Sequence, residues 1–431
     1  MALKVYRGTR QVGLLDMQAN EPFYGFTYDS AYLSSSEALP LSLSLPLADC
    51  RYSGEQALPY FEGLLPEGDA RAAIARRLGI SCTSSARLLA ALGRDCAGDI
   101  SVVDEDEVFE LHSQTYVPLA GGIFSIADNP YEETGRLQEE TRLSLAGGQE
   151  KIALYHKEGE PIHEGWFIPI LGSPSTHIIK PGLLEDRYPQ LSLNEFLCLR
   201  AASACDIPTA MAYLLNPEKP LLVIERYDRL RSTKTQNGLK MVNRIHQEDF
   251  CQACGVRSDM KYERDGGPGF KRMRNVLSQY SQQPLEDIKL LVKRGLFNYL
   301  IGNCDAHAKN FSLLQNSNGT VSLAPAYDLI CTTIYDGRYG AKLSRSMGMK
   351  IGLHENIDKV QAADFMQFSQ DIHLRIEQIE QLVEELGHRL QTAFTTSAIE
   401  AETLGFCAAS EIASRILEDS TKRAEVLFGK H

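Results

Sequence analysis

Short apolar runs separated by polar breaks dominate the first half of the chain and predict β-strands. They occur at residues 4–6, 12–15, 23–28, 151–155, 176–180 and 221–225. From residue 38 to residue 47 Leu alternates with Ser or Pro, and the two prolines exclude a long helix. We therefore predict an edge strand at 38–47.

Apolar residues recur at three- and four-residue spacings in 288–300, 372–390 and 412–428, which predicts helices there. Helices are also predicted at 70–78, 84–92 and 192–204. Gly79 and Gly93 follow the first two, as expected at helix ends. The stretch from about residue 105 to about residue 142 is acidic, and we expect it to be an irregular connection between lobes.

A strand-rich half followed by a helix-rich half is the order of a bilobal kinase. We predict an α+β protein with a protein-kinase-like fold, an N-terminal subdomain of sheet plus helices, and a helix-rich C-terminal lobe. The predicted domains are 1–105, 106–228 and 229–431. The middle one is expected to carry a glycine turn and a strand lysine, and the last one the catalytic loop.

Composition and charge restrict the possible functions. The chain has 431 residues, of which 43% are hydrophobic, and 44 basic against 56 acidic residues give a formal net charge of −12. Broad nucleic-acid contact by this chain alone is not expected, because such binding requires clustered Lys and Arg. No apolar run reaches the ~20 residues of a membrane span, so we expect a cytoplasmic protein without membrane contact.

Residues 302–310, Gly-Asn-Cys-Asp-Ala-His-Ala-Lys-Asn, hold the strongest candidate chemistry. Asp305 precedes Asn310 by the spacing of a phosphoryl-transfer loop, in which the carboxylate takes a proton and the amide oxygen holds magnesium. Asp328 offers a second carboxylate further along, and such oxygen ligands suit Mg²⁺ and a triphosphate. A helix cap or a surface turn could have a similar local sequence.

Three segments upstream of this loop supply other parts of a nucleotide site in the expected order. Residues 142–151 form a small-residue turn whose glycines would let backbone N–H groups approach phosphate oxygens. An apolar strand ends at Lys180, which Glu195 on the next helix could orient. Residues 223–229 are typical of a strand that leads into a hinge, where backbone groups can pair with an adenine edge and Tyr227 could cover its face, although a charged edge strand would look similar.

These residues resemble the HipA-like serine/threonine kinases, the toxin halves of bacterial type II toxin–antitoxin pairs. The resemblance spans nearly the whole chain. It rests on residues 60–68, 144–151, 176–180, 225–229, 262–269, 302–310 and 327–328.

The resemblance implies specific roles for the candidate residues. Lys180 contacts ATP phosphates, Glu225 and Tyr227 flank adenine, Asp305 is the catalytic base, and Asn310 with Asp328 holds Mg²⁺. The other residues expected near the nucleotide are Ala146, Gly147, Gly148, Gln149, Lys151, His307 and Lys309. Ser144 matches the family's autophosphorylated serine, where an added dianion keeps the turn from closing on ATP.

The resemblance also implies partners. These are a small HipB-like helix-turn-helix antitoxin that supplies most of the contact to operator DNA, and a translation protein as substrate, with aminoacyl-tRNA synthetases as the known class. Growth arrest and persistence are the implied outcome. The acidic net charge is consistent with a toxin whose DNA binding comes mainly from its partner.

Two other functions remain open from the sequence. A metal-dependent phosphoesterase could use Asp305, His307 and Asp328 without ATP, although it would not need Lys180 or the turn around Ser144. A non-catalytic co-repressor could bind an antitoxin and DNA through the N-terminal module. That function would survive Asp305→Ala.

Overall fold

The computed structural model describes residues 2–16, 25–106, 113–142, 144–337 and 341–428. Its strands are β1 (Ala2–Arg7), β2 (Arg10–Asp16), β3 (Gly25–Tyr28), β4 (Arg51–Ser53), β5 (Ile100–Asp104), β6 (Thr115–Pro118), β7 (Ile152–His156), β8 (Trp166–Ile170), β9 (His177–Pro181), β10 (Ala212–Leu215), β11 (Leu221–Glu225), β12 (Arg229–Gln236), β13 (Leu239–Arg244), β14 (Gln247–Asp249), β15 (Ser312–Gln315), β16 (Val321–Leu323), β17 (Ser346–Ile351) and β18 (His354–Asn356).

Helices lie between groups of these strands and after the last of them. They are α1 (Ser30–Leu33), α2 (Gly54–Gly63), α3 (Gly68–Arg77), α4 (Ser85–Leu92), α5 (Phe124–Asp128), α6 (Pro130–Thr141), α7 (Leu191–Ala204), α8 (Phe250–Ala253), α9 (Phe270–Tyr280), α10 (Pro284–Ile301), α11 (Ala362–Ile372), α12 (Ile376–Thr403) and α13 (Ala409–Leu427).

The chain divides into two compact units, each built from separate chain segments. Unit 1 comprises Met1–Pro181, Val223–Asp259 and Leu314–Gly319, and unit 2 comprises Gly182–Leu222, Met260–Leu313 and Thr320–His431. The three-domain division made from the sequence stays a prediction.

Unit 1 begins with a five-stranded sheet in the order β4-β3-β2-β1-β5. The inner strand β1 is antiparallel to both neighbours, so that Lys4 lies opposite Leu14 on one side and Val103 on the other. Leu3 and Val5 alternate with more exposed residues and are fully buried. The core beneath them is completed by α2, which packs on β3, and α4, which packs on β5.

The segment at 38–47 is a turn, so the predicted edge strand is wrong. Only one isolated bridge forms there, between Ser42 and Leu45. Tyr28 explains the difference, because its hydroxyl accepts from Leu41 N at 2.8 Å and donates to the carbonyl of Leu45 at 2.5 Å. A side chain therefore satisfies backbone groups that a sheet neighbour would otherwise pair. The start of the predicted strand 23–28 includes Phe23 and Tyr24, which lie outside the described residues.

The second sheet of unit 1 contains β9, β7, β8 and β6 in that order, with the Val223–Glu225 part of β11 beside β9. All five residues of β7 are buried. Helix α6 packs against β7 and β8, so the irregular connection predicted before residue 142 is wrong. Pro130 and two glutamates open this helix. Apart from Gly135, the buried residues of α6 are Thr134, Leu137, Gln138 and Thr141. Three of these four are polar, so the sequence shows no helical period of apolar residues here.

Unit 2 is mostly helical and is organised around α10, which contacts α9, α12 and α13. The helix predicted at 372–390 is displaced. α11 ends at Ile372, and α12 begins at Ile376 and continues to Thr403. His373 separates them, because its left-handed backbone (φ 55°) ends α11 and lets Leu374 N donate to the carbonyl of Ser369. Across the described ranges, every helix is too short or too polar to cross a bilayer.

Candidate functional site

The candidate catalytic loop begins where α10 ends, in unit 2. Gly302 has a left-handed backbone (φ 78°) and receives the C-terminus of α10. A Cβ there would collide with the side chains of Thr333 and Arg423, so only glycine fits this turn. The turn directs residues 303–310 out of the helix. Asn303 then braces the loop, with its amide bonded to Asn298 at 2.8 Å and to the backbone N of Asp305 at 3.1 Å.

Asp305 and Asn310 lie at the two ends of a closed turn. The carbonyl of Asp305 accepts from His307 N at 2.8 Å and from Nδ2 of Asn310 at 3.0 Å. The Oδ1 atom is the metal-ligating atom of an Asn side chain, and the bond from Nδ2 fixes the direction in which Oδ1 points. The Asp305 side chain is exposed, whereas His307 and Lys309 are 4% and 6% exposed. The loop spacing therefore places a carboxylate and an amide oxygen in one compact turn.

Asp328 lies on a segment that is tied to the same loop. The preceding residue, Tyr327, donates its hydroxyl to the carbonyl of Lys309 at 2.7 Å. Further on, Thr332 accepts from Cys304 N at 2.8 Å and donates to the carbonyl of Gly302 at 2.9 Å. Asp328 itself has a left-handed backbone with φ 50°. Backbone strain at a polar residue between two such anchors is typical of functional sites.

Helix α7 also fixes this segment. The fully buried amide of Asn194 donates to the carbonyl of Cys331 at 2.9 Å and accepts from the N–H of Cys331 at 3.0 Å. Asn194 thus clamps the backbone three residues beyond Asp328. Sequence reasoning missed Asn194, since nothing in the local pattern of α7 distinguishes it from a surface amide.

The loop that precedes α9 lies against the catalytic loop. The Tyr262 hydroxyl donates to Asp305 Oδ1 at 2.7 Å, and the Tyr262 ring meets the His307 ring edge-on at 5.1 Å between centroids. The family resemblance includes residues 262–269 but gave no role to Tyr262. Its contact with Asp305 is a tertiary one that the sequence could not indicate.

In unit 1 the predicted phosphate-binding turn is docked on the N-terminal module. Ser144 is fully buried, and its hydroxyl donates to the carbonyl of Leu64 at 2.8 Å. Glu67 N donates to the carbonyl of Gly147 at 3.0 Å. These contacts account for part of the 60–68 motif, because Leu64 and Glu67 receive the turn. Leu143 lies outside the described residues.

The tip of this turn is closed by a lysine. Lys151 Nζ donates to the carbonyl of Ala146 at 2.6 Å, and Gly147 has φ 114°. This positive φ is strained for any residue with a Cβ, so it favours glycine at this position. Gly148 is exposed with open space beside it, and Gln149 is half-buried. The turn therefore presents backbone and one ammonium group in a small region, as phosphate binding needs.

Lys180 lies on β9 and is 5% exposed, so it is not a solvated lysine at a strand end. Strand β9 pairs antiparallel with β7, and Ile179, which precedes Lys180, lies opposite Ile152. Glu195 on α7, in the other unit, is also 5% exposed. Its role in orienting Lys180 stays a prediction.

In the hinge after β11, successive side chains alternate between half-buried and buried positions. Glu225 and Tyr227 are half-buried, whereas Arg226 and Asp228 are buried. The Arg226 guanidinium donates to both Asp228 oxygens, at 3.0 and 2.9 Å. The alternation leaves Glu225 and Tyr227 on the face away from this ion pair, which is where a base-binding pair is needed.

One buried carboxylate anchors the hinge. Asp95 binds Arg229 at 2.8 Å, Arg244 at 3.1 Å and Arg226 at 3.3 Å. Its burial opposes ionisation, but the three arginines dominate and hold the pKa of Asp95 far below its usual range. The Asp95 carbonyl also accepts from Ser144 N at 3.1 Å. Asp95 therefore connects the hinge with the turn, a link that sequence reasoning missed.

Each unit thus gathers part of the predicted set. Unit 2 brings Asp305, His307, Lys309, Asn310 and Asp328 to one loop and its supporting segment. Unit 1 carries the Ser144–Lys151 turn, Lys180, Glu225 and Tyr227. In the described ranges no group of three or more His, Cys, Asp or Glu residues forms a metal cluster. A metal at Asn310 and Asp328 would therefore need oxygens from a ligand such as a triphosphate, which is how Mg²⁺ is usually held beside nucleotides.

Comparisons with known proteins cover both halves of the chain. The HipA N-terminal domain family matches residues 3–103, and the HipA-like C-terminal domain family matches residues 143–394. The putative kinase Y4mE of Sinorhizobium fredii is 38% identical over 354 residues, which are 80% of this chain and 80% of that protein. The serine/threonine-protein kinase toxin HipA of Shewanella oneidensis is 28% identical and covers 78% and 76%.

A solved structure extends the comparison to the fold. The toxin–antitoxin complex of Shewanella oneidensis HipA, HipB and operator DNA contains a chain with a TM-score of 0.78 and 23% identity, covering 99% of this chain and 97% of that one. The predicted α+β, kinase-like fold with a helical C-terminal region is confirmed by this match.

Proposed function

The chain belongs to the HipA-like kinase family, and on that premise we propose that it is an ATP- and Mg²⁺-dependent serine/threonine-protein kinase toxin. It would transfer the γ-phosphate of ATP to a protein hydroxyl and to its own Ser144. One observation carries the proposal: an exposed Asp305 carboxylate and the Asn310 amide share one turn, with Asp328 on a segment anchored to it.

In this proposal Asp305 takes the proton of the acceptor hydroxyl. The Oδ1 atom of Asn310 and the carboxylate of Asp328 hold Mg²⁺ together with phosphate oxygens. When bound, the ion neutralises charge that develops on the β- and γ-phosphates. Asp305 therefore has only to orient and deprotonate its substrate, so catalysis is mostly positioning and electrostatics.

The nucleotide-binding residues that the family resemblance implies are part of this proposal. Lys180 orients the phosphates, Glu225 and Tyr227 flank the adenine, and the remaining contacts come from Ala146–Gln149, Lys151, His307 and Lys309. The low exposure of Lys180 supports this role, because a buried ammonium group binds phosphate more strongly than a solvated one. The closed tip at Gly147 supports the role of the turn.

The wider biology is proposed by analogy with the family. A HipB-like helix-turn-helix antitoxin would neutralise the kinase and supply most of the contact to operator DNA. The solved relative is a complex of this kind. The substrate would be a translation protein such as an aminoacyl-tRNA synthetase, in the cytoplasm, with growth arrest and persistence as the outcome.

The proposal is tested by incubating the full chain with Mg²⁺-ATP and mapping phosphate by peptide mass spectrometry. We expect phosphate on the Ser144 peptide in the wild type and none in Asp305→Ala. Asp186→Ala, which removes an exposed carboxylate from the same unit, serves as the control and should behave as the wild type.

Two outcomes would overturn the proposal. Transfer at the wild-type rate by Asp305→Ala would remove Asp305 from the role of base. Absence of both phosphate transfer and ATP binding by calorimetry would favour the non-catalytic co-repressor, whereas release of phosphate from a simple ester without nucleotide would favour the phosphoesterase.

A further inference from the structure

The carboxylate of Asp305 makes few contacts that could fix its orientation. It is exposed, and within the described part of the chain its only side-chain hydrogen bond is the one from Tyr262 to Oδ1. The backbone of Asp305 is fixed by Asn303, His307 and Asn310, but those bonds do not orient the side chain. A general base must be held within hydrogen-bond reach of the proton that it removes. Tyr262 is the group in place to do this.

Tyr262 is itself held at both its backbone and its ring. Its carbonyl accepts from Asp265 N at 3.0 Å and from Gly267 N at 2.9 Å, which closes a tight turn behind it. Its ring packs edge-on against His307, a residue of the catalytic loop. The Arg264 guanidinium lies 4.9 Å from the centre of the ring, within the range of a cation–π contact.

The segment that carries Tyr262 is anchored to the catalytic loop and cannot slide along it. The carbonyl of Lys261 accepts from Ala308 N at 3.3 Å. The Glu263 carboxylate accepts from Lys350 N at 2.8 Å, and β17, which contains Lys350, passes close to the loop at Gly348. A Cβ on Gly348 would stand 2.7 Å from His307 N, so glycine allows this approach. Tyr262 and Asp305 thus share one framework.

From this geometry we infer that Tyr262 is a positioning residue for the catalytic base. Its hydroxyl donates a hydrogen bond to Oδ1 of Asp305 and so fixes the rotation of the carboxylate. The other oxygen, Oδ2, is then directed at the acceptor. The inference rests on the proposed function, because it assigns Asp305 as the base.

The transfer step balances with this arrangement. The acceptor O–H proton passes to Oδ2 of Asp305, and the acceptor oxygen forms a bond to the γ-phosphorus. The bond between that phosphorus and the bridging oxygen breaks, and ADP leaves with the electron pair. Tyr262 keeps its proton throughout.

The test compares Tyr262→Phe with the wild type, because phenylalanine keeps the ring against His307 and removes only the hydroxyl. The full chain is incubated with Mg²⁺-ATP, and the initial rate of self-phosphorylation is measured over a range of ATP concentrations. We expect the maximal rate to fall about tenfold or more, with the ATP concentration at half-maximal rate unchanged. A general loss of structure would change both.

A coupled variant separates positioning from packing. In an Asp305→Glu background the carboxylate is displaced from Tyr262, so the additional effect of Tyr262→Phe should be smaller than in the wild type. Tyr280→Phe is the matched control: this exposed tyrosine at the end of α9 accepts a hydrogen bond from its neighbour Gln279. It should have the wild-type rate.

The inference is overturned if Tyr262→Phe transfers phosphate at the wild-type rate while Asp305→Ala does not transfer it; the proposed function would then stand. Phosphate mapped to Tyr262 would also overturn it, since the hydroxyl would then be an acceptor. If Asp305→Ala is as active as the wild type, the proposed function fails, and the inference fails with it.

Discussion

The Ser144 hydroxyl donates to the backbone carbonyl of Leu64 at 2.8 Å, and no part of Ser144 is exposed to solvent. A phosphate cannot be added to this hydroxyl while the bond exists. The turn must first leave the N-terminal module, and a dianion at residue 144 would then prevent its return, because an unpaired buried charge is strongly unfavourable.

We therefore expect Ser144→Asp to release the turn. Titration calorimetry should show ATP affinity weakened by about tenfold or more, because each 1.4 kcal/mol lost from binding is a factor of ten. Ser144→Ala is the control, since it removes one hydrogen bond and introduces no charge. ATP affinity equal to the wild type in Ser144→Asp would show that the docked turn is not needed for binding.

Asp95→Ala should destabilise unit 1. Three arginines, Arg226, Arg229 and Arg244, would lose a shared buried partner, and breaking such a pair costs about 3–5 kcal/mol. Urea unfolding followed by fluorescence measures this directly, because the single tryptophan, Trp166, lies buried in β8 of unit 1.

The control for Asp95 is Asp259→Ala, which removes an exposed partner of Arg257 and should not change the unfolding curve. If both variants unfold at the same urea concentration, the buried cluster does not stabilise this unit.

Ionisation of Glu248 should lower the free energy of unfolding of unit 1 as the pH rises. Burial is the main cause that raises the pKa of this carboxyl to about 7, against hydrogen bonds from Ser42 and Leu43 that lower it. Between the unfolded pKa of 4.5 and pH 7 the folded state binds more protons than the unfolded state. The free energy of unfolding therefore falls as the pH rises through this window.

Replacing Glu248 by glutamine should remove this dependence. The amide mimics the protonated carboxyl, so we expect Glu248→Gln to match the wild type at pH 5. At pH 8 it should be more stable by on the order of 2 to 3 kcal/mol. Urea unfolding at both pH values measures the difference, with the exposed Glu37→Gln as the control. An equal pH dependence in all three proteins would contradict the prediction.

Asn194→Ala should weaken the use of magnesium. The variant loses both bonds to Cys331, and with them the clamp on the backbone that follows Asp328. Groups that hold a metal ligand in place affect metal affinity by about 10- to 100-fold. The Mg²⁺ concentration that gives half-maximal self-phosphorylation should rise accordingly. Asn275→Ala, on the exposed face of α9, is the control, and identical Mg²⁺ curves would exclude the clamp.

The sequence predicted the features that depend on local order. The five-residue step from Asp305 to Asn310 forms one closed turn, and α7, α10 and β11 lie where their patterns indicated. The position of Lys180 on a buried strand was predictable for the same reason. Such features are determined by residues that are close together in the sequence, so their spacing can be read directly from it.

Other features depend on residues far apart in the chain. Tyr262 reaches Asp305 from 43 positions away, and the Tyr28 hydroxyl turns residues 38–47 away from a strand. Helix α6 was missed because Thr134 and Gln138 occupy its buried face, where a pattern search expects apolar side chains. Long-range polar contacts and buried polar residues leave no periodic signal.

The order in which the chain is synthesised gives one further consequence of its division into units. Unit 1 is completed only by its last piece, Leu314–Gly319, which follows the catalytic loop in the sequence. When Asp305 has just left the ribosome, the nascent chain therefore still lacks residues that belong to unit 1 and residues that belong to unit 2. Neither unit can therefore complete its fold before residues beyond the catalytic loop have been synthesised.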